Sequence, residues 1–550
     1  MYGAARFRYP DFKTRDSRNR DVTRHASIPT NASIPTTVGE LLVVSAHRTP
    51  DNEAIASGSD RLTYQALLNR ANGLAAGLGT LGLTKGDRVG VHLHNCTEAY
   101  ETILACSRSG LLFVPLNHML NGSELATIIT HAGLGAVVGE AALAPVLGNA
   151  LSILKSPVEH IIGVDDFPSA SVYYADLLAR DSQGLSQPVS ENDVFALMYT
   201  SGTTGLPKGV VLTHKNVVTH ARHMVRDYGY APTSVGLVAL PYFVGASLNG
   251  VGLPTLLQGG RVIIQRAFTP NAFLDLVESE AVTHVQTVPT LLSRLMDTGL
   301  VTPERIRSLQ VLGYGSAPMP RTRLKEAVDL FGPILYQMYG LTETCAMATC
   351  LRPADHVAEG VGQDRLASCG RPVEGIDVRI INSEGGDVPP GEPGEVIIKG
   401  PTVMAGYWNS PDLTASALVD GWFHSGDLAC ADDEGYIYLT DRMKDVIITG
   451  GFNVSPREVE EVLFTHPGVV DCAVIGVPDD DWGEAVCAYV LIRPGDATQE
   501  SDLMTYTRDR LSAFKRPKSI IRIDEIPRNP SGKVLKRELR ERAGGEKGIA

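Results

Sequence analysis

The feature of the sequence that most restricts its fold is an alternation of apolar runs with helical patterns between about Thr37 and Leu439. The runs typical of buried strands begin at Asp87, Arg261, Thr283 and Leu309. The intervening segments of helical spacing begin at Asn271 and Pro289. Alternation of this kind predicts an α/β fold with largely parallel sheets. A Gly- and Pro-rich stretch at 385–399 predicts a β-rich subdomain near the end of the region.

A change of sequence character after Asp441 predicts a second, smaller domain. The chain has 550 residues, more than the roughly 250–300 residues that one hydrophobic core usually serves. In the smaller unit Ser455 is predicted to cap a helix, with Pro456 at its first position and Glu458 completing a capping box. Two strand-like runs and a helical segment follow, at 468–477, 485–492 and 502–511. This order predicts a compact α+β unit.

Charge and composition exclude several classes of protein. With 49 Lys and Arg against 62 Asp and Glu, the net charge is -13, which disfavours nucleic acid as a partner. The 8 cysteines form no C-x-x-C pair, so we expect reduced thiols and a cytoplasmic location. The stretch 228–260 has no charged residue, but prolines and glycines interrupt it. It predicts a buried strand and helix and no transmembrane segment.

The strongest local signal is the run from Tyr199 to Gly209, which is dense in hydroxyl groups and glycines and contains one lysine. Glycines let backbone N–H groups approach phosphate oxygens, hydroxyls add donors, and a lysine adds charge. The run lacks the spacing of a Walker A loop, and on composition alone a flexible surface turn remains the alternative. The predicted phosphate-binding residues here are Thr200, Ser201, Gly202, Thr203, Thr204, Gly205 and Lys208.

The run resembles the phosphate loop of the adenylate-forming superfamily, which includes acyl- and aryl-CoA synthetases, peptide-synthetase adenylation domains and firefly-type luciferases. Further signatures of that superfamily follow in order along about Thr37 to Arg542. They are Gly315-Ser-Ala-Pro, Tyr339-Gly-Leu-Thr-Glu-Thr, Ser425-Gly-Asp, Asp441-Arg442, Gly450-Gly-Phe-Asn-Val-Ser-Pro-Arg-Glu and Pro530-Ser-Gly-Lys. Among the members of the superfamily, the chain most resembles an acyl-CoA synthetase.

The resemblance implies a role for each matching residue. Thr342, Glu343 and Lys533 are the implied catalytic residues, with Glu343 as a hard oxygen ligand for Mg²⁺ and Lys533 neutralising charge at the α-phosphate. The remaining ATP contacts implied are Gly315, Ser316, Ala317, Tyr339, Gly340, Asp427 and Arg442. CoA is implied to pass Gly450, Gly451 and Trp482. Core packing for Trp482, and a plain charged surface for Lys515, Arg516 and Lys518, stay open as alternatives.

The resemblance also implies a domain organisation. We predict a large N-terminal domain of α/β subdomains plus a β-rich subdomain, and a small mobile α+β C-terminal domain that turns about Lys444. The predicted segments are a disordered or loosely attached leader at 1–36, the large domain at 37–440, the hinge at 441–445, the small domain at 446–543 and a tail at 544–550.

The acyl pocket is where the sequence departs from many relatives, because Val244 follows Phe243 where they carry a histidine. Amino-acid adenylation domains place an aspartate near this point, and Val244 cannot pair with a substrate ammonium. Phe243, Val244 and Tyr314 are predicted to offer apolar walls. The nearby small residues either leave room for the acid or serve helix packing. An aliphatic or aromatic monocarboxylic acid is therefore the predicted substrate.

These inferences predict a cytoplasmic, AMP-forming acyl-CoA synthetase of fatty acid metabolism, a monomer or homodimer, that uses ATP, Mg²⁺ and CoA. The alternative acceptor is the phosphopantetheine of an acyl carrier protein, which would make the chain a free-standing acyl-AMP ligase. A luciferase-like oxygenase and a non-enzymatic binding module are alternatives of other classes. The second is disfavoured because Glu343, Asp427 and Lys533 are all present.

Overall fold

A computed structural model describes residues 34–178, 188–200, 207–356, 365–442, 445–450, 452–479, 482–529 and 532–546. The predicted leader lies almost entirely outside these residues, and so do the last four residues of the predicted tail.

The described residues form strands and helices throughout. The strands are β1 (Glu53–Ser57), β2 (Asp60–Thr63), β3 (Arg88–His92), β4 (Leu112–Pro115), β5 (Ala136–Gly139), β6 (His160–Gly163), β7 (Val172–Tyr173), β8 (Val194–Thr200), β9 (Lys208–Thr213), β10 (Val235–Val238), β11 (Arg261–Ile264), β12 (His284–Thr287), β13 (Val311–Gly315), β14 (Leu335–Tyr339), β15 (Thr349–Leu351), β16 (Arg371–Pro372), β17 (Asp377–Ile381), β18 (Gly394–Lys399), β19 (Gly406–Tyr407), β20 (Leu418–Val419), β21 (Trp422–Ala431), β22 (Ile437–Arg442), β23 (Ile447–Thr449), β24 (Phe452–Val454), β25 (Val469–Asp479), β26 (Gly483–Ile492) and β27 (Ser519–Arg522). The helices are α1 (Val38–Arg48), α2 (Tyr64–Thr80), α3 (Thr97–Ser109), α4 (Gly122–Ala132), α5 (Ala144–Ser152), α6 (Tyr174–Leu178), α7 (His214–Tyr228), α8 (Gly245–Ser247), α9 (Leu253–Gln258), α10 (Pro270–Ser279), α11 (Pro289–Asp297), α12 (Arg321–Phe331), α13 (Pro411–Ala417), α14 (Pro456–Phe464), α15 (Glu500–Arg508) and α16 (Lys536–Glu546).

Two large mixed sheets form the α/β part of the fold. The first has the order β16-β15-β14-β13-β12-β10-β11-β1-β2, and the second has the order β19-β9-β8-β4-β3-β5-β6-β7. Strands β10 to β14 pair in parallel, as do β3 to β6. The predicted α/β fold with largely parallel sheets is confirmed, and the antiparallel pairs lie toward the edges.

Two buried clusters cover the faces of the first sheet. The central cluster joins both large sheets to α1, α2, α3, α7 and α9, and the outer cluster packs the first sheet against α10, α11 and α12. Side chains alternate between the clusters along β13, because successive residues of a strand point to opposite faces. Val311 belongs to the central cluster, whereas Leu312 and Tyr314 belong to the outer one.

The uncharged stretch 228–260 forms β10 and then α8, a π-helical turn at Leu248–Gly252, and α9. The predicted buried strand and helix are confirmed. Among the described residues, no helix combines the length and the apolar character that crossing a bilayer requires. The 8 cysteines of the chain all lie in described segments, where each is a free thiol.

Two further sheets complete the described chain. The antiparallel sheet β17-β18-β21-β20, with β22 on β21, is the predicted β-rich region. The sheet β24-β23-β26-β25, with β27 parallel to β26, combines with α14, α15 and α16 to form the small C-terminal domain. Val459 and Leu463 of α14 are buried in the core of this domain.

The start of α14 corrects one prediction. Ser455 caps the helix, since its side chain accepts a hydrogen bond from the backbone N–H of Glu458, and Pro456 is the first residue of the helix. The reciprocal half of the capping box is missing. The Glu458 carboxylate instead pairs with the Lys515 ammonium at 2.7 Å. A nearby cation therefore outcompetes the backbone N–H that the carboxylate would have bonded.

Candidate active site

The phosphate loop connects two paired strands. β8 and β9 run antiparallel, with Thr200 opposite Lys208 and Tyr199 opposite Gly209, so these strands hold the two ends of the predicted loop together. The Lys208 ammonium lies 5.3 Å from the centre of the Tyr407 ring. Five predicted phosphate contacts, Ser201, Gly202, Thr203, Thr204 and Gly205, lie outside the described residues.

Glu343 lies in a short 3-10 turn, Thr342–Thr344, that follows β14. The Tyr407 hydroxyl donates a hydrogen bond of 2.9 Å to its Oε1 atom. Burial raises the pKa of Tyr407, and the neighbouring Glu343 carboxylate raises it further, so this hydroxyl stays protonated and remains a donor. Tyr407 therefore connects the candidate metal ligand to Lys208, which lies over its ring.

Close packing around Gly340 fixes the position of this turn. A Cβ atom on Gly340 would lie 2.5 Å from the carbonyl oxygen of Ala346. Cys345 and Ala346 have left-handed backbone torsions, with φ of 57° and 88°. Such torsions are costly for residues other than glycine and persist where the surroundings impose them. The chain therefore turns sharply directly after Glu343.

The donor set at Glu343 fits a magnesium ion shared with nucleotide phosphates. Carboxylate oxygen is a ligand that Mg²⁺ prefers, and Mg²⁺ commonly takes one or two protein carboxylates and completes its shell with phosphates and water. Among the described residues, no donor bonds Oε2 of Glu343, which leaves that atom for a cation. The described part of the chain also holds no group of three or more His, Cys, Asp or Glu side chains arranged for a metal.

Asp427, Tyr339 and Arg442 form a buried polar triad. The Tyr339 hydroxyl donates to Oδ2 of Asp427 at 2.9 Å, and the Arg442 guanidinium pairs with Oδ1 at 3.0 Å. The pairing of β21 with β22 places Asp427 and Arg442 directly opposite each other. Asp427 is 5% exposed, and burial together with this carboxylate raises the pKa of Tyr339 well above its usual value. The triad brings together three residues that the sequence predicts at the nucleotide.

The predicted adenine turn begins where β13 ends. A Cβ atom on Gly315 would lie 2.5 Å from the Met338 carbonyl oxygen, so only glycine fits against β14 at this point. Ser316 follows with φ of 70°, a left-handed torsion that turns the chain out of the sheet, and Ala317 is half-buried. The turn lies at the carboxyl ends of parallel strands, which is where ligands bind in α/β sheets.

The structure does not bring the three predicted acyl-pocket residues together. Val244 is buried in the central cluster, against which the half-buried Phe243 packs, whereas Tyr314 belongs to the outer cluster. The hydroxyl of Tyr314 is held by Gln337 at 3.2 Å and by His356 at 3.0 Å. Successive side chains of β13 point to opposite faces of the sheet. Tyr314 therefore points to the outer face, whereas Val244 lies on the central face.

His118 contacts Phe243, the residue that precedes Val244. Its ring meets the Phe243 ring edge-on, with centroids 5.1 Å apart, and lies 4.6 Å from the His94 ring. Burial lowers the pKa of His118. No motif in the sequence indicated this contact, because His118 lies 125 residues before Phe243.

Gln286 on β12 is a second residue that the sequence did not indicate. It is 2% exposed, and among the described residues neither its amide nitrogen nor its amide oxygen has a hydrogen-bond partner. Leaving a buried polar group unpaired costs about 1–3 kcal/mol. The only signal in the sequence is one amide side chain inside the strand-like run 283–288.

Lys533 lies in a tight loop that packs on the large domain. Its backbone N–H donates to Oδ1 of Asn529 at 2.9 Å, and Arg528 donates to the Gly532 carbonyl oxygen at 2.8 Å while contacting Asp471 at 2.8 Å. A Cβ atom on Gly532 would be 3.1 Å from Oγ1 of Thr290, at the start of α11. The loop thus meets the large domain beside the end of β12.

Two of the predicted CoA residues, Gly450 and Trp482, lie in described segments and form one surface of the small domain. The Trp482 ring lies on Gly450, where a Cβ atom would approach it to 2.5 Å. Trp482 is 44% exposed, which excludes the core-packing alternative. The Lys518 ammonium lies 4.5 Å from the ring centre of Trp482 and 3.5 Å from Asp479. The Arg516 guanidinium donates to the Leu511 carbonyl oxygen. Gly451 and the predicted hinge residue Lys444 lie outside the described residues.

Comparisons with known proteins agree with this geometry. The family model described as AMP-binding enzyme matches residues 42–408, and that of the AMP-binding enzyme C-terminal domain matches residues 458–533. A feruloyl-CoA synthase of an Amycolatopsis species is 40% identical over 92% of this chain and 99% of that protein. The fatty acid–acyl-carrier-protein ligase ScoC of Streptomyces coeruleorubidus is 36% identical over 91% of this chain and 95% of its own length.

Comparison with a solved structure supports the same family. ATP-bound MatB from Rhodopseudomonas palustris aligns with a TM-score of 0.83 at 32% identity, over 92% of this chain and 98% of that one. The resemblance predicted from the motifs is thereby confirmed, together with the fold of a large N-terminal and a small C-terminal domain. The chain belongs to the AMP-binding, adenylate-forming family of enzymes, among relatives that are named CoA ligases.

Proposed function

We propose that the chain is an AMP-forming acyl-CoA synthetase that activates an aliphatic or aromatic carboxylic acid. The observation that carries the proposal is the contact between Tyr407 and Glu343 next to Lys208, which joins a candidate metal ligand to the phosphate loop. ATP, Mg²⁺ and CoA are the proposed cofactors and co-substrates. The relatives named feruloyl-CoA synthase and acyl-carrier-protein ligase support an acid as the group that is activated.

In the first half-reaction, a carboxylate oxygen of the acid attacks the α-phosphorus of ATP. The bond from that phosphorus to the bridging oxygen breaks, pyrophosphate leaves with the bonding pair, and an acyl-adenylate remains. Lys208 and the loop after β8 are proposed to hold the β- and γ-phosphates, while Lys533 neutralises the charge that builds at the α-phosphate. Glu343 is proposed to hold a magnesium ion, which when bound would supply further charge neutralisation. Thr342, the first residue of the same turn, is proposed to contact the phosphates.

The Asp427 triad is proposed to hold the ribose. Both carboxylate oxygens already accept bonds, from Tyr339 and from Arg442. Each oxygen has a second lone pair and can accept a ribose hydroxyl without losing its present partner. The turn Gly315 to Ala317 and the Tyr339–Gly340 pair are proposed to lie along the adenine.

In the second half-reaction the sulfur of CoA attacks the acyl carbon, its proton is released, and AMP leaves with the electrons of the broken C–O bond. The pantetheine arm is proposed to pass Gly450 and Gly451, with Trp482 near its nucleotide end. The exposed indole and Lys518 suit a planar base and a phosphate. Rotation of the small domain about Lys444, and the domain boundaries predicted from the sequence, belong to this proposal.

A carrier-protein phosphopantetheine is the second candidate acceptor, since ScoC is named as a ligase of that kind. Four large apolar side chains are exposed among the described residues of the small domain, namely Ile448, Phe452, Val470 and Trp482. Exposed apolar groups of this size are typical of surfaces that meet another protein. The predicted cytoplasmic location, role in fatty acid metabolism and monomeric or homodimeric state also stay proposals that rest on the sequence.

The test is pyrophosphate release over a panel of carboxylic acids, with product analysis in the presence of CoA or of a holo acyl carrier protein. We expect AMP and pyrophosphate in equal amounts and an acyl thioester with one acceptor. Glu343→Gln removes the charge of the candidate metal ligand and should sharply reduce the rate, whereas Glu384→Gln, at an exposed turn, should not. ADP and inorganic phosphate as products would contradict the proposal.

A further inference from the structure

Gln286 is a buried carboxamide for which the described part of the chain offers no hydrogen-bond partner. It is 2% exposed, and its nitrogen and oxygen both lack a partner there. Buried polar groups in native proteins are nearly always paired, so each exception calls for an explanation. One common explanation is a ligand that completes the missing bonds.

Two glycines, Gly313 and Gly250, lie beside the Gln286 side chain. Gln286 lies opposite Gly313 in the register of β12 and β13, and a Cβ atom on Gly313 would be 1.9 Å from its Oε1 atom. The carboxamide therefore lies across the backbone of β13. On the other side, Gly250 of the π-helical turn would place a Cβ atom 3.8 Å from Cγ of Gln286. Asn249 in that turn has a buried, unpartnered Oδ1 atom as well.

The strand relates this carboxamide to the reaction centre. Val288 follows Gln286 by two residues, and a Cβ atom on Gly532, next to Lys533, would be 3.6 Å from Val288. Gly313 likewise precedes the predicted adenine turn at Gly315 by two residues. Two residues of a strand span about 6.6 Å. A carboxylate at the level of Lys533 would extend its acyl group alongside Gln286.

We propose that Gln286 determines substrate specificity by hydrogen bonding an oxygen-bearing substituent on the acyl group. The substrate class is thereby carboxylic acids with a hydroxyl, ether or carbonyl group several ångströms from the carboxylate. A carboxamide suits all three, because it is a donor through nitrogen and an acceptor through oxygen. A site built to bond such a group rejects the analogue that lacks it, since the buried amide then stays unpaired. This inference rests on the proposed function.

The experiment compares matched acids in the wild-type enzyme. Cinnamate is measured against 2-, 3- and 4-hydroxycinnamate, and octanoate against 8-hydroxyoctanoate, by kcat/KM for pyrophosphate release. We expect at least one hydroxylated acid to exceed its parent by about 10–100-fold. Gln286→Met, which keeps the length of the side chain without its amide, should abolish this preference. The preference should disappear because kcat/KM for the hydroxylated acid falls toward the value for its parent acid.

Gln337→Met is the matched control, because Gln337 lies in the same sheet but bonds Tyr314 on the outer face. It should keep the wild-type preference. If Gln286→Met does not fold, Gln286→Leu serves as the second variant, with the same expected loss of preference. Equal kcat/KM for every pair in the wild type, or a preference that survives removal of the amide, would overturn the inference. Failure of every acid to release pyrophosphate would instead contradict the proposed function itself.

Discussion

The nucleotide side and the acyl side of the candidate site differ in how their buried polar groups are satisfied. Asp427, Tyr339 and Arg442 bond one another. Gln286 and Asn249 are also buried, but both amide atoms of Gln286 and the Oδ1 atom of Asn249 have no hydrogen-bond partner among the described residues. A paired network is preorganised and stays the same for every substrate. An unpaired group is satisfied only by a substrate that can hydrogen bond with it. The paired groups therefore serve the chemistry common to all substrates, and the unpaired groups serve the choice of substrate.

Lys533→Ala should give the largest effect, and it tests the nucleotide side of the comparison. A carboxylate must approach a phosphate that is already negative, and a positioned ammonium there contributes about 10²–10³ in rate. Acyl-adenylate formation should fall by that factor. Thioester formation from a supplied acyl-adenylate should change little, because that step needs no such neutralisation. Both half-reactions are assayed on the same folded variant, and an equal loss in both would indicate a structural role.

Val244→Asp tests the acyl side. An unpaired carboxylate in an apolar environment opposes binding of an apolar acid by several kcal/mol, so we expect kcat/KM for the best such acid to fall about 100-fold. The KM for ATP should stay within about twofold, because among the described residues no hydrogen bond or ion pair connects Val244 with Asp427, Tyr339 or Arg442. Val244→Ala is the control for volume alone. Unchanged kinetics in the aspartate variant would place the acid elsewhere.

Asp427→Asn tests whether the nucleotide side and the acyl side are coupled. It should change the ranking of acids only if they are. The substitution keeps the shape but removes the charge that Arg442 pairs with, and a hydrogen bond to a charged group contributes about 1.5–3 kcal/mol. The KM for ATP should rise by roughly 10-fold or more. The ranking of acids should not change. A changed ranking, measured over the same acid panel, would show that the triad also shapes the acyl side.

Arg528→Lys should give the smallest effect. Arg528 supports the lysine loop by donating to the Gly532 carbonyl oxygen and pairing with Asp471, and a lysine cannot maintain both contacts in the same planar geometry. We expect a loss of about 3–10-fold in adenylation with thioester formation preserved. Arg510→Lys, on the surface of the same domain, is the control. A drop in both half-reactions alike would mean that the arginine merely stabilises the domain.

That several residues of the nucleotide side lie close together could be predicted from the sequence, because they belong to short contiguous motifs whose roles the family resemblance implies. Their roles at ATP stay predictions. Tyr339, Asp427 and Arg442 come from three such motifs, and the structure brings them into contact. The alternation of strands and helices predicted the sheets in the same way, since burial on both faces of a parallel sheet leaves long apolar runs.

The contacts on the acyl side could not be predicted from the sequence, because they depend on strand register and on packing between distant segments. Gln286 meets Gly313 only through the pairing of β12 with β13. His118 reaches Phe243 across 125 residues. Tyr314 was predicted to be a wall of the acyl pocket, but the structure places it in the outer cluster. Pleat direction decides that placement, and a one-residue change of register reverses it.

The contact between Gln286 and Gly313 constrains how substrate preference can evolve. Any side chain at 313 collides with the present carboxamide, since even a Cβ atom would lie 1.9 Å from it. A bulkier residue at 313 therefore requires the Gln286 side chain to move away or a shorter residue to replace it, so the effects of exchanges at the two positions depend on each other. New preferences at this position are thus subject to epistasis between two neighbouring strands.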